Sequence, residues 1–261
     1  MFGAIIGDIV GSRFEWHNHR DKDFRFFHEK CFFTDDSVMT IAVAKALYES
    51  RKNAYKDLEE QLLYWMHEIG RKYPYCGFGR SFYRWIMEGI NEPYNSYGNG
   101  SAMRTSAYGF FAKDLEEALE LSERCAAVSH NHPEGIRGAQ ATTACIYLAR
   151  EGKTIDEIGK HVREKFYDID FTIDGIRETY RFNMTCQDTV PQAIEAFLES
   201  DSFEDAIRNA ISVGGDSDTL AAICGGIAEA YYGIPDDFRE KAESYLDDYL
   251  KGIVEGISYS D

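Results

Sequence analysis

Apolar residues recur at three- and four-residue spacing through "SVMTIAVAKALYES", "DLEEQLLYWMHEIG", "DLEEALELSERCAAV", "IRGAQATTACIYLARE", "IDEIGKHVREKF" and "FEDAIRNAISV". That spacing puts them on one face of a helix, whereas the two-residue alternation of a half-buried strand is scarce along the chain. An all-α fold is the expectation. Local signals agree: Thr154 with Glu157 forms a capping box, Ser202 precedes an acidic first turn, and Gly152 and Gly214 follow helical runs as stops.

The five prolines are scattered, and there is no fixed-period repeat, low-complexity tract or Ser/Pro-rich linker, so residues 1–261 read as one domain. The 44% hydrophobic content, with 17 Tyr and 17 Phe, suffices for a large core. A net charge of −17 opposes broad nucleic-acid binding, because a phosphate backbone would be repelled over most of the surface. The basic stretch around Arg71, Lys72, Arg80 and Arg84 reads first as a solvated face and second as a docking point for an anion. Six cysteines without a C-x-x-C pair read as reduced core thiols. The start lacks a basic leader and Asp8 interrupts its apolar run, and nowhere are there about 18 uninterrupted apolar residues. A cytoplasmic protein without a membrane segment, and a monomer, is expected. Residues 11–34, 71–79, 91–101 and 129–135 are the least helical, and functional groups concentrate on such loops. The acidic stretch 236–261 reads as one closing helix.

Two helices begin with clustered carboxylates. "FFTDDSVM" and "VGGDSDTL" each set two aspartates and a threonine at the head of an apolar helix. One cap needs one oxygen, so capping and the helix dipole leave a surplus. The helix after Asp216 is apolar nearly all round and should be buried, where unpaired carboxylates are costly. Four negative charges match two divalent cations, and an all-oxygen donor set selects hard ions over zinc. Gly214 and Gly215 permit the sharp entry that lets Asp216 and Asp218 converge on one ion. Two metals about 3.5–4 Å apart can bind substrate oxygens and activate water, which suits hydrolysis.

In "SYGNGSAMR", Gly98, Asn99, Gly100 and Ser101 lead toward a helix at Ala102. The stretch reads as a turn or as a ring of backbone N–H groups able to cradle a diphosphate. His130 with His132, and His17 with His19, make a weak zinc signal, and hydrogen bonding in a loop or to a ligand suits them better. Glu15 follows a Gly-rich turn and reads as a surface residue or a catalytic carboxylate.

Taken in order, "GDIVGSRFEW", "TDDSVM", "GNGSAMR" and "VGGDSDT", with "SHNHPEG" between the last two, resemble the ADP-ribosylglycohydrolase family from about residue 3 to about residue 235. The resemblance implies a single-domain orthogonal helical bundle holding two Mg²⁺ or Mn²⁺ ions. It implies Thr34, Asp35, Asp36, Asp216, Asp218 and Thr219 as metal ligands and Glu15 as the catalytic carboxylate. It also implies that Gly98, Asn99, Gly100, Ser101 and Met103 hold the diphosphate and neighbouring ribose, and that His130 contacts the ligand. Ser37 stands where many relatives carry a second Thr. Some bacterial relatives carry an aspartate between the first acidic motif and the GNG loop, and "RKYPYCGFGRSFYRWIM" has none, which throws weight onto Glu15 or a water activated by the metals.

The function implied is a metal-dependent hydrolase that cuts the C1″ bond between ADP-ribose and an acceptor, whether a protein side chain, a nucleic-acid base or a small conjugate. Two other readings stay open: a relative that binds ADP-ribose without turnover, and a two-metal phosphohydrolase acting on the diphosphate.

Overall fold

The computed structural model describes residues 1–257. They form helices α1 (Phe2–Gly11), α2 (Asp35–Arg51), α3 (Leu58–Gly70), α4 (Arg80–Glu88), α5 (Gly100–Met103), α6 (Ser106–Phe111), α7 (Leu115–Ala127) and α8 (Pro133–Arg150). The second half adds α9 (Ile155–Lys165), α10 (Ile173–Ile176), α11 (Val190–Leu198), α12 (Phe203–Ser212), α13 (Ser217–Tyr232), α14 (Asp236–Glu243) and α15 (Asp248–Glu255). No strand occurs among the described residues, only an isolated antiparallel bridge between Gly98 and Thr185. The fold is all-α as expected, and all six helices predicted from spacing are present. The Thr154–Glu157 capping box forms, Ser202 caps α12, and Gly152 and Gly214 both take φ of 74°.

One expectation needs correction. The acidic end is not one helix: Asp247 accepts the Leu250 N–H at 2.9 Å and so caps a separate α15, while positions 258–261 lie outside the described residues. The start is a helix whose ten residues are all buried. Its packing uses small residues instead of an apolar stripe. Gly3, Gly7 and Gly11 share one face against α13, and a Cβ on Gly7 would overlap the Ala221 carbonyl. A Cβ on Gly11 would lie 2.5 Å from the Ser217 carbonyl oxygen, so the two backbones touch. At the other end of the pair, the Met1 ammonium bonds Glu229 at 2.6 Å.

Helix α13 is buried from Ser217 to Ala228 and lies at the centre, packed on α1, α8, α11 and α12. Arg71, Lys72, Arg80 and Arg84 are exposed, with Arg84 paired to Glu88 and Arg71 bonded to the Ile86 carbonyl, which is ordinary surface structure. All six cysteines are free; five are buried and Cys76 is partly so.

Candidate functional site

The start of α2 is built on a carboxylate that the sequence reading passed over. Asp8, fully buried on α1, accepts the Thr34 N–H at 2.9 Å, the Thr34 hydroxyl at 2.7 Å and the Ser37 N–H at 3.0 Å, together with the Ser37 hydroxyl. Its one visible signal was a lone acid inside "FGAIIGDIVG". Thr34 Oγ1 in turn accepts the Asp36 N–H at 3.2 Å, as an N-cap should. Asp35 donates its N–H to the Cys76 carbonyl at 2.9 Å, and Gly77, at φ +124°, leaves room for the Asp35 carboxylate.

The start of α13 faces it. Gly214 and Gly215 take φ of 74° and 76°, a region that favours glycine, and turn the chain into Asp216. Asp216 Oδ2 accepts from Asn99 Nδ2 at 2.7 Å, and the Thr219 hydroxyl donates to Asp36 Oδ2 at 3.2 Å, which joins the two acidic motifs directly. Glu15, just past the 3-10 turn Ser12–Phe14, belongs to the same cluster: Glu15, Asp216 and Asp218 each offer an oxygen within 4.8 Å of the others. Asn18 clamps the two loops. Its amide accepts from Gly215 N at 3.0 Å and donates to Gly215 O at 3.2 Å and to the Glu15 carbonyl at 3.1 Å. Arg20 holds the turn from outside through the carbonyls of Val213, Tyr180 and Arg177. Asn18 and Arg20 sit in a loop without periodicity, and nothing in the sequence marked them.

Among the described residues, no Lys or Arg pairs with Asp8, Glu15, Asp35, Asp36, Asp216 or Asp218. Burial first, and then the charge of Asp218, hold the Asp35 and Asp36 carboxyls well above the usual range. Burial and Asp216 do the same to Asp218. Asp216 is pushed up to about 6, mainly by burial, and Glu15 to about 7 by burial and Asp218. Asp36 Oδ1 is buried without any hydrogen-bond partner. An orphaned carboxylate oxygen in an unneutralised, all-oxygen cluster fits a hard cation. The Cys76 thiol is raised by burial and by Asp35, so it stays protonated and is no nucleophile.

The loop 98–101 borders this cluster. Of the two readings of this loop, the turn is the better description, because the N–H groups of the alternative ring are largely used up: Asn99 N bonds the Met184 carbonyl at 2.8 Å, Gly98 N bonds Ser96 Oγ at 3.1 Å, and Ala102 N and Met103 N return to the Asn99 carbonyl. Gly100 N–H meets no protein acceptor among the described residues. Ser101 is turned inward, donating to the Gly135 carbonyl at 2.8 Å, and Met103 is core at 4% exposure. The Ser101 N–H returns to the Gly98 carbonyl at 3.4 Å. The His130 ring stands before the two glycines: a Cβ on Gly98 or Gly100 would lie 3.5 or 3.4 Å from its Nε2. Of the other histidines in the two His-x-His pairs, His132 caps α8 and His19 bonds the Asp23 carbonyl.

Comparison with known proteins agrees with this geometry. The sequence profile described as ADP-ribosylglycohydrolase matches residues 1–259. The chain is 24% identical to the ADP-ribosylhydrolase ARH3 of Xenopus tropicalis, over 95% of this chain and 91% of that protein. It is 26% identical to the ADP-ribosylarginine hydrolase Tri1 of Pseudomonas putida, over 92% of this chain and 72% of that protein. A solved ADP-ribosylglycohydrolase-related protein complex shares the fold, with a TM-score of 0.70 at 19% identity over 98% of this chain and 96% of the other. With its acidic helix starts brought together and its whole length matched, the chain belongs to the ADP-ribosylglycohydrolase family of enzymes, which act on glycosyl bonds of ADP-ribose.

Proposed function

We propose that this chain, as one domain over residues 1–261, is a hydrolase that cleaves the C1″ glycosidic bond between ADP-ribose and an acceptor and releases ADP-ribose, using two Mg²⁺ or Mn²⁺ ions. The observation that carries the proposal is the meeting of two acidic helix starts and Glu15 in one cluster with which no Lys or Arg pairs among the described residues. Thr34, Asp35, Asp36, Asp216, Asp218 and Thr219 would hold the ions, and Asp8, by taking the Thr34 hydroxyl proton, leaves that oxygen's free lone pair for ligation. When bound, such ions fix the ribose hydroxyls and make a neighbouring water more acidic.

Glu15, held up near 7, can take a proton from the attacking water or steady the departing acceptor. The surrounding carboxylates favour the positive charge that develops on the ribose as the bond to the acceptor lengthens. Gly100 and His130 Nε2, which a Cβ on that glycine would approach to 3.4 Å, would border the diphosphate. A cytoplasmic setting fits the six free thiols, and no helix among the described residues is long and apolar enough to cross a membrane.

A panel of ADP-ribosyl conjugates of arginine, serine, nucleobases and small acceptors, incubated with and without Mg²⁺ and analysed by mass, tests the proposal. Metal-stimulated release of ADP-ribose is expected, lost in Asp35→Ala and Asp216→Ala. Release of AMP and ribose phosphate would assign the site to diphosphate hydrolysis instead. Binding of ADP-ribose with no release from any conjugate would make the chain a binding protein.

A further inference from the structure

Behind the 98–101 loop lies a charge that the chemistry above does not use. Arg104, the residue after Met103, is fully buried, and no carboxylate pairs with it among the described residues. Its Nη2 donates to the Cys125 carbonyl at 3.1 Å and to Ser129 Oγ at 3.0 Å, while Nε and Nη1 have no partner. The guanidinium carbon sits 5.6 Å from the centre of the Phe82 ring. A lone buried cation is costly to keep. Ser129 Oγ in turn lies 2.8 Å from His130 Nδ1, and His130 is 4% exposed between the rings of Phe82 and Tyr94, at 5.9 and 5.7 Å.

The direction of the chain of bonds follows from proton counting. A guanidinium only donates, so Ser129 Oγ accepts from Arg104. If His130 Nδ1 also donated to it, the fully buried Ser129 hydroxyl proton would have no acceptor. If Ser129 donates to Nδ1, both its hydroxyl proton and the imidazole nitrogen are satisfied. We propose that Arg104 and Ser129 are positioning residues that hold His130 neutral with its proton on Nε2, so that a fixed N–H donor points between Gly98 and Gly100 at an anionic oxygen of the ligand's diphosphate. Burial, and then the Arg104 charge, hold the imidazole well below its usual range, which keeps it neutral at physiological pH. The absent Cβ atoms of Gly98 and Gly100 leave the space in front of Nε2 for that oxygen. In a chain of net charge −17 with six clustered carboxylates nearby, Arg104 also supplies a positive potential behind the place where a diphosphate would sit. The identity of the ligand rests on the ADP-ribose reading; the tautomer does not.

Two measurements separate these parts. In ¹⁵N-histidine-labelled protein without ligand, long-range ¹H–¹⁵N correlation should show His130 with a bare Nδ1 and a protonated Nε2, and Ser129→Ala should show both tautomers. Calorimetry with ADP-ribose should give about three- to tenfold weaker binding for Ser129→Ala, because only the tautomer with its proton on Nε2 donates and its population falls. In a His130→Gln background, whose amide has no tautomer to set, the same Ser129→Ala change should cost less than about twofold. A protonated Nδ1 in the unaltered protein, or an equal Ser129→Ala penalty in both backgrounds, overturns the proposal. The expected tautomer in a protein that binds no ADP-ribose would overturn the ADP-ribose reading, and the donor's role with it.

Discussion

Replacing Asp216 with asparagine is expected to stabilise the metal-stripped protein while abolishing its activity. Asp216 is 6% exposed, and its carboxyl is pushed from an ordinary 3.8 up to about 6, by burial above all. A folded-state value above the unfolded one means that the native chain holds the proton more tightly. The stabilisation this gives is complete below about 3.8 and is lost as the pH rises through about 6. Above that window the ionised group costs the fold about two units, or about 3 kcal/mol. Asparagine keeps the shape and can still present an oxygen to Asn99 Nδ2, now 2.7 Å from Asp216 Oδ2. Allowing about 1 kcal/mol for a weaker amide contact leaves a gain of about 2 kcal/mol, roughly 4–8 °C in melting temperature. The assay is thermal unfolding in EDTA and in Mn²⁺, at pH 7.5 and near pH 4, beside ADP-ribose release. In EDTA at pH 7.5 the variant should melt higher, and the advantage should vanish near pH 4. In Mn²⁺ the unaltered protein should gain stability and the variant should not. A variant less stable than its parent in EDTA at pH 7.5, or one that keeps the metal-dependent rise, would refute the reasoning.

Glu15→Gln should lower kcat by roughly 10²–10⁴-fold and remove the acid limb of the pH–rate profile, because a base works only above its own ionisation; an unchanged profile would take Glu15 out of the chemistry. Asn18→Ala removes the bonds to Gly215 and to the Glu15 carbonyl, so kcat should fall about tenfold or more with a loss of only about 1–3 kcal/mol in urea unfolding; normal turnover would show that the clamp is dispensable. Gly7→Val drives a side chain into the Ala221 carbonyl and should cost about 3 kcal/mol or more; a melting temperature within experimental error of the parent would contradict the backbone contact between α1 and α13.

The metal-ligand candidates were legible because their surplus was local. Four carboxylates and two threonines crowd two helix starts, and any cap argument leaves them unexplained. The companions of that cluster were not legible, because their meaning lies in distant partners. Asp8 gains its role only from Thr34 and Ser37, 26 and 29 positions on, and within its own segment it was an acid in the wrong place. Asn18 acts on Gly215, 197 positions away. A short motif also names a residue without its direction: "GNGSAM" suggested an open cradle, yet Ser101 points inward and Asn99 spends its N–H on Met184. Helix α1 escaped for a different reason. Spacing arguments look for large apolar side chains, and this helix packs through their absence at Gly3, Gly7 and Gly11.

That absence is also what allows like charges to be held together. Asp8 and Glu15 come from α1 and the turn after it, Asp216 and Asp218 from the start of α13, and α1 and α13 touch backbone to backbone. Asp35 and Asp36 come from α2, whose first turn is bonded to Asp8. Short of taking up protons, as their raised pKa values show they do, the carboxylates can relieve their repulsion only by separating α1 from α13 or α2 from Asp8, and either move would open a core in which Ile5, Ile6, Ile9 and residues 217–228 are buried. Repulsion that cannot relax stays in the ground state, available to a cation or to positive charge developing on a substrate. The close helix contact thus belongs to the chemistry as much as to the fold.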